Sequence, residues 1–407
     1  MKCRHCRALL SDVFLDLGSA PPSNAFLRDS DLLAPEAWFP LKLHTCRRCR
    51  LVQVDEVQRH DALFGGDYAY FSSYSTTWLA HAEAYVGQVV DRLGLGARHL
   101  VMEIASNDGY LLQYVRARGI PCVGIEPTAG TANAARARGI DTIERFFGLA
   151  FAREFAAQRQ RVDLVVANNV LAHVPDLNDF VGGIAEVLAP AGVATIEFPH
   201  LMQLVEQGQF DTVYHEHFSY FSFGTARDVL ARHGLRVFDV EQLATHGGSL
   251  RLWACHVGAD HHETPAVAGL LAVEAAAGMD GMAWYADFQR KADRIKDELL
   301  RFLLDCKRDG KRVLGYGAAA KGNTLLNYAG VRSDLLACVA DASPHKQGRH
   351  LPGSRIPVVA EARIRETRPD YVLILPWNLR VEIAAQLAYI RDWGGRFVTA
   401  VPELDVS

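Results

Sequence analysis

The run His99-Leu100-Val101-Met102-Glu103-Ile104 passes directly into Ala105-Ser106-Asn107-Asp108-Gly109. A short apolar run without alternation reads as a strand buried on both faces of a parallel sheet. The polar, glycine-ended turn after it reads as the loop that hands the chain to a helix. Outward from this point the same rhythm continues. A helical pattern runs from Trp78 to about Leu95 upstream. Downstream, strands expected at Pro121 to Ile125, Val162 to Ala167 and Gly192 to Glu197 alternate with helical patterns at Tyr110 to Arg118, Ala129 to Arg138 and Leu177 to Leu188. Such alternation predicts a doubly wound α/β sheet, whose ligands bind where strands end in loops.

The first such loop follows an acid, Glu103, and the next strand ends in Ile125-Glu126-Pro127, 18 residues past Asp108. A carboxylate there can hold the two hydroxyls of a ribose. An acidic strand end, a tight loop and a ribose acid suit S-adenosylmethionine (SAM) as well as a nicotinamide cofactor. The loop lacks G-x-G-x-x-G, and close approach to a pyrophosphate asks for glycine, which counts against a dinucleotide here.

Further along, Glu197-Phe198-Pro199 precedes Phe210-Asp211-Thr212-Val213-Tyr214-His215-Glu216-His217-Phe218-Ser219-Tyr220-Phe221. Four groups able to give or take protons stand at positions 214 to 217 between apolar and aromatic neighbours, an arrangement costly to bury without a use. Imidazole titrates near neutrality, a neighbouring carboxylate raises its basicity and orients it, and a phenol can donate to a developing oxyanion. That set suits removal of a proton from carbon beside a carbonyl. The competing reading is a surface loop with two ordinary histidines.

At 407 residues the chain exceeds one average domain, and 49% hydrophobic with 22% charged residues is the composition of a globular protein. A net charge of -4 gives no reason to expect a nucleic-acid or membrane-surface partner. Met1-Lys2-Cys3 opens without a charged-then-apolar leader, and no apolar run nears the roughly 20 residues of a membrane span. The expected location is the cytoplasm, where the eight cysteines would be reduced. Cys3-x-x-Cys6 and Cys46-x-x-Cys49 then read as two knuckles closing a tetrahedral Zn2+ site. Four thiolates leave no open position, so the metal is expected to be structural. Cys122, Cys255, Cys306 and Cys338 stand isolated in apolar contexts. Turn residues from Gly18 to Asn24 and a short alternation from Leu41 to Thr45 offer too little apolar material for a separate core, so the metal is expected to supply the missing stability. Leu51 to Val54 reads as a strand. The segment Tyr68-Ala69-Tyr70-Phe71-Ser72-Ser73-Tyr74-Ser75 either lines a pocket or packs the small module on its neighbour.

Beyond a polar, Ala-rich helical stretch from about Thr264 to Lys307, strands at Lys311 to Gly315, Leu335 to Ala340 and Tyr371 to Leu375 predict a second, smaller Rossmann-like unit. Gly315-x-Gly317-x-x-Ala320 satisfies the glycine/alanine dinucleotide fingerprint, and Asp341 lies 24 residues past Gly317, near where a ribose acid belongs. Alone, this unit would say nicotinamide dehydrogenase. The helix start after Gly317 can also cradle a phosphate, with Lys321 adding charge. Lys346, Arg349 and Pro376-Trp377-Asn378 are further candidates.

Together, Glu103-Ile104-Ala105-Ser106-Asn107-Asp108-Gly109, Ala167-Asn168-Asn169-Val170-Leu171-Ala172-His173-Val174-Pro175-Asp176, Tyr214-His215-Glu216-His217, Thr245-His246-Gly247-Gly248-Ser249-Leu250-Arg251, the paired C-x-x-C knuckles and Gly315-Tyr316-Gly317-Ala318-Ala319-Ala320-Lys321-Gly322-Asn323 carry a family likeness. Over nearly the whole chain they resemble the sugar C-methyltransferases that act on nucleotide-linked 4-keto-deoxysugars in deoxysugar and antibiotic biosynthesis. The resemblance implies a zinc-binding module over residues 1–70, a Rossmann-like SAM methyltransferase domain over 71–255, and a linker helix with a Rossmann-like sugar-nucleotide unit over 256–407. It implies methyl transfer to a sugar carbon, typically C-3, beside the C-4 ketone and through an enolate. His217 is then the general base, Glu216 lies by the sugar or orients the histidine, and Tyr214, His173 and Asn169 surround the ketone and stabilise the enolate. His173 could instead cap or pack its own loop. The implied cofactor contacts are Glu103, Ala105, Ser106, Asn107, Asp108, Gly109, Glu126, Pro127 and Asn168; the implied substrate contacts are Tyr68, Tyr70, His215, Gly317, Lys321 and Asn323. Ala105 departs from the glycine common in the family. The expected ligands are SAM, a structural Zn2+ and a nucleotide sugar, with no nucleic-acid or membrane partner and the oligomeric state open, a monomer included. Two other readings stay open: an NAD(P)-dependent oxidoreductase using the C-terminal fingerprint, and a non-catalytic zinc-ribbon interaction protein.

Overall fold

The computed structural model describes residues 1–55 and 71–407. The N-terminal segment builds an antiparallel sheet from β1 (Asp12–Ala20), β2 (Phe39–Thr45) and β3 (Val52–Val54), and its fourth strand, Ser219–Tyr220, comes from the far end of the Tyr-His-Glu-His segment. Phe14, Leu15, Leu41, Leu43 and Val54 enter one core with Tyr285, Phe288, Leu299 and Leu325. Phe14 stacks on Phe288 with ring centroids 5.2 Å apart. Among the described residues the small module therefore has no core of its own, as its composition predicts, and shares that of the C-terminal part.

The central sheet contains β4 (Val101–Ile104), β5 (Cys122–Ile125), β6 (Thr142–Ile143), β7 (Val162–Asn168) and β8 (Leu188–Pro199). After Ser219–Tyr220, here β9, it gains β10 (Leu235–Leu243) and β11 (Ser249–His256), in the order β10-β11-β8-β7-β4-β5-β6. The first five are parallel, while β11 and β10 run antiparallel. The sequence reading did not anticipate β10 and β11. Antiparallel neighbours need no crossover helix, so the strand–helix rhythm that marked the others is missing. Strand order reverses between β4 and β7, which opens a crevice at their C-terminal ends.

The helical stretch expected from about Thr264 to Lys307 is two helices, Pro265–Ala276 and Phe288–Arg308. Gly278, at φ 86°, stops the first of them in the left-handed conformation that glycine adopts without penalty. The last unit is a six-stranded sheet of β12 (Val313–Tyr316), β13 (Val339–Ala340), β14 (Val358–Val359), β15 (Tyr371–Ile374), β16 (Arg396–Thr399) and β17 (Asp405–Val406). Its order is β14-β13-β12-β15-β16-β17, parallel except for β17. The strand expected from Leu335 is confined to Val339–Ala340. Among the described residues no helix is long and apolar enough to cross a membrane.

Candidate active site

At the end of β4, Ala105, Asn107 and Gly109 have φ of 55°, 51° and 77°. Ala105 thus occupies a conformation natural to glycine, at a cost of roughly 1–2 kcal/mol for an L-residue. Glu126 holds this loop in place: its two oxygens accept the backbone N–H groups of Asn107 and Thr128, both at 2.9 Å, with Pro127 between the acid and Thr128. Burial raises the Glu126 carboxyl above its usual range and the fully buried Glu103 further still. Around the loop, Glu103 Oε2, Ser106 Oγ, Asp108 Oδ1 and Asn168 Oδ1 are shielded from solvent and have no hydrogen-bond partner among the described residues. Each such atom costs about 1–3 kcal/mol unless a ligand satisfies it, and together they fit the polar edge of an adenosyl cofactor. From above, the Ser72 N–H donates to Asn107 Oδ1 at 2.9 Å and Ser73 Oγ donates to Asp108. Tyr68 and Tyr70 lie outside the described residues.

Across the crevice, Asn169 sits at φ 54° with its N–H donated to the Glu197 carbonyl at 2.7 Å, and neither side-chain amide atom has a partner among the described residues. His217 Nδ1 lies 2.9 Å from the Thr212 carbonyl. A carbonyl only accepts, so Nδ1 carries the proton and the lone pair lies on Nε2. In the same way His173 Nδ1–H donates to the Glu216 carbonyl at 2.8 Å. The His217 ring lies 4.6 Å from that of His173 and 4.0 Å from that of Tyr214. Burial, reinforced by His173, holds His217 far below the usual imidazole range, and burial brings His173 to about 4, so both rings are neutral. Glu216 is buried, its Oε1 accepting from Asn24 Nδ2 at 3.1 Å and its Oε2 without a partner among the described residues. His215 turns to the N-terminal sheet instead. Its Nε2 donates to the Pro40 carbonyl at 3.2 Å, and its ring meets Phe39 edge-on.

The C-terminal unit reaches the same place through the helix Ala320–Tyr328. Thr324 donates to the Val213 carbonyl at 2.8 Å, and Asn323 Nδ2 donates to the Ser23 carbonyl at 2.6 Å, with Asn323 Oδ1 unpartnered. Lys321 Nζ lies 4.7 Å over the Trp377 ring and donates to Asn378 Oδ1 at 2.7 Å. Trp377 Nε1 in turn donates to the buried Asp211 at 2.8 Å. Burial pushes Asp211 up to about 6 against the pull of Lys321, and burial lowers Lys321. Gly317 lines no open cradle: a Cβ there would lie 2.5 Å from Pro376 Cδ. Asp341 accepts from the N–H groups of Ala318 at 2.7 Å and Ser343 at 2.8 Å, so the carboxylate read as a ribose acid is occupied by its own loop. In the fingerprint, then, Pro376 fills the space beside Gly317 and Asp341 ties its own loop, as Glu126 does in the first sheet.

In the zinc module, Cys3 and Cys49 sulfurs are 3.6 Å apart, Cys6 and Cys46 sulfurs 3.4 Å, and all four lie within 4.8 Å of one another. Sulfurs bound tetrahedrally at about 2.3 Å from Zn2+ would stand about 3.8 Å apart, so the set fits the ion. Arg7 and Arg50, at φ 65° and 60°, return N–H groups to Cys3 and Cys46 carbonyls at 3.0 and 2.9 Å, making matched knuckles. The first knuckle grips the loop that carries His173. Arg4 donates to the Pro175 carbonyl at 3.0 Å, and Asn178 Nδ2 donates to the Arg4 and His5 carbonyls.

Sequence reasoning assigned no role to several groups that the fold brings here. Glu197, at the end of β8, accepts from Arg251 at 2.8 Å, His81 at 3.0 Å and Thr245 at 3.1 Å. Burial would raise this carboxyl, but the His81 hydrogen bond and the Arg251 charge hold it below the usual range. Asp211 stood in the quoted segment without a function, and Asn24 was read only as a turn residue.

Family models match three stretches: a zinc binding domain at residues 3–64, a methyltransferase domain at 78–240 and a C-methyltransferase C-terminal domain at 244–402. The C-methyltransferase NovU of Streptomyces niveus is 37% identical over 401 residues, which is 98% of this chain and 95% of that protein. Among solved structures, PH0226 protein of Pyrococcus horikoshii is 15% identical, covering 46% of this chain and 94% of its own at a TM-score of 0.38. Magnesium protoporphyrin IX methyltransferase of Synechocystis, with bound SAH, is also 15% identical, covering 44% and 83% at a TM-score of 0.35.

Proposed function

The chain belongs to the C-methyltransferase family and transfers a methyl group from SAM to carbon, and from that premise we propose that its acceptor is a nucleotide-linked 4-keto-deoxysugar, methylated beside the ketone with His217 as base. The observation that carries this reading is the tautomer of His217: with Nδ1–H tied to Thr212, the lone pair on Nε2 is available to a carbon acid. Bound SAM supplies an electrophilic methyl group. The chain's own residues do the rest. His217 Nε2 takes the proton from the carbon beside the ketone, and the Thr212 carbonyl accepts from the imidazolium that forms. Tyr214 and the Asn169 amide surround the enolate oxygen, where fixed donors can contribute several kcal/mol, while the neutral His173, its one N–H committed to the Glu216 carbonyl, packs beside His217 and holds its segment. Glu216, held by Asn24, keeps one oxygen for a sugar hydroxyl. Lys321, depressed by burial, regains its full charge against a diphosphate. In this reading His215 and Asn323 act at one remove, tying the segment and the helix to the N-terminal module.

Both carbons flanking a C-4 ketone are acidified by it, and the family resemblance favours C-3. Incubation with carbon-13 methyl-labelled SAM and dTDP- or GDP-linked 4-keto-6-deoxyhexoses, followed by NMR of the product, tests the reading. A new methyl on C-3 is expected. A methyl on C-5 would move the position and keep the enolate chemistry, while a methyl on oxygen would contradict the reading.

A further inference from the structure

The loop Thr245–Gly248 holds a histidine that the mechanism above does not use. His246 has φ 54° and ψ 21°, inside a segment over-determined on both sides. Thr245 Oγ1 is bound to Glu197 at 3.1 Å. The Gly247 carbonyl accepts from Gln209 Nε2 at 2.6 Å, and a Cβ on Gly247 would lie 2.5 Å from Trp377 Cη2. A Cβ on Gly248 would lie 2.8 Å from Gln203 Cβ. Two glycines at positive φ, two hydrogen bonds and two close approaches thus hold a non-glycine residue in the left-handed region, a strain that persists only where the surroundings enforce it.

What the strain presents is the imidazole ring. It packs against Trp78 at 5.1 Å, and Trp78 stacks on Tyr110 at 5.9 Å, directly after the cofactor loop. On the other side the adjoining Gly247 abuts Trp377, whose ring carries Lys321 and whose Nε1 reaches Asp211. The half-buried His246 ring therefore stands at the seam between the cofactor crevice and the acceptor wall, and neither ring nitrogen has a hydrogen-bond partner among the described residues. Burial, then Lys321, brings it to about 4, so it meets ligands as a neutral donor and acceptor.

We propose that His246 touches the acceptor and fixes its orientation toward the methyl donor, a task separate from the proton removal assigned to His217. The inference rests on the acceptor reading above. It makes a split prediction, because holding a carbanion in line matters to transfer and not to proton exchange. His246→Gly relieves the positive φ and should fold with an unchanged or higher thermal midpoint and unchanged affinity for S-adenosylhomocysteine. With dTDP-4-keto-6-deoxyglucose in D2O and S-adenosylhomocysteine, its deuterium wash-in beside the ketone should stay within about 3-fold of wild type, while methyl transfer from SAM drops about 100-fold, the scale of a misplaced reactant. Added imidazole should restore part of the transfer rate. His246→Asn, which suits the same backbone, should behave likewise. A His246→Gly enzyme that methylates at the wild-type rate overturns the proposal, as does one that loses exchange and transfer in parallel. Wild type showing neither exchange nor transfer overturns the acceptor reading, and this inference with it.

Discussion

The loop after β4 and the loop after β12 both leave the first strand of a parallel sheet at the point where strand order reverses, and both lead to a helix. The first leaves three buried polar atoms, Glu103 Oε2, Ser106 Oγ and Asp108 Oδ1, with no partner among the described residues. In the second, Asp341 holds the Ala318 and Ser343 N–H groups, Lys346 Nζ donates to the Ala318 carbonyl at 2.8 Å, and Pro376 fills the space beside Gly317. Yet the second loop carries the better fingerprint. A glycine at such a turn shows that something approaches the backbone without saying what, and in this chain it is a proline. Unsatisfied buried groups discriminate better, because folding tolerates their cost only where a ligand repays it.

The sharpest way to break this contrast is a matched pair of variants. Glu126→Ala and Asp341→Ala each orphan two backbone N–H groups, and each should lower unfolding stability by about 4 kcal/mol, at about 2 for each donor. Only Glu126→Ala should weaken S-adenosylhomocysteine binding, by at least about 100-fold in titration calorimetry; equal losses in both would erase the distinction. A second test concerns the rim between the sheets. Asp211 rises from an ordinary 3.8 to about 6 on folding, so the folded chain keeps a proton that the unfolded chain releases between those values. Stability should therefore fall as pH rises from about 4 to 6, by about 3 kcal/mol from this group. Asp211→Asn should remove that slope, and a wild-type-minus-variant difference in denaturation free energy that stays flat with pH would contradict the assignment. The smallest effect belongs to Lys321→Ala, which should raise the KM for the nucleotide sugar about 10-fold, the worth of one charge-assisted contact. SAM affinity should stay within about 2-fold, and a selective loss of SAM binding instead would reverse the roles of the two sheets.

What could be read from the sequence was whatever has a short-range signature. The β4 run and its loop, the paired cysteines and the Tyr-His-Glu-His segment declare themselves within a dozen residues, by periodicity, spacing or the cost of clustered polar groups. The groups that escaped reading are defined by encounters between distant segments. Asn24 meets Glu216, His81 meets Glu197, and Pro376 meets Gly317 only once segments distant in sequence have come together. β10 and β11 were hidden for a related reason, since antiparallel pairing leaves no helix to announce it. Even so, His246-Gly247-Gly248 carried a legible hint. Two glycines in succession after a histidine mark backbone under constraint, although nothing local says which side chain they serve.

Proton removal by His217 is the centre of the account, and exchange tests it without relying on methylation. With dTDP-4-keto-6-deoxyglucose in D2O and S-adenosylhomocysteine in place of the methyl donor, wild type should wash deuterium into the carbon beside the ketone faster than solvent alone. His217→Asn should keep the fold and both ligand affinities while losing that exchange by at least roughly 100-fold, the usual worth of a general base. Exchange at the wild-type rate in a folded, ligand-binding His217→Asn enzyme would contradict the assignment and place the base elsewhere in the cluster.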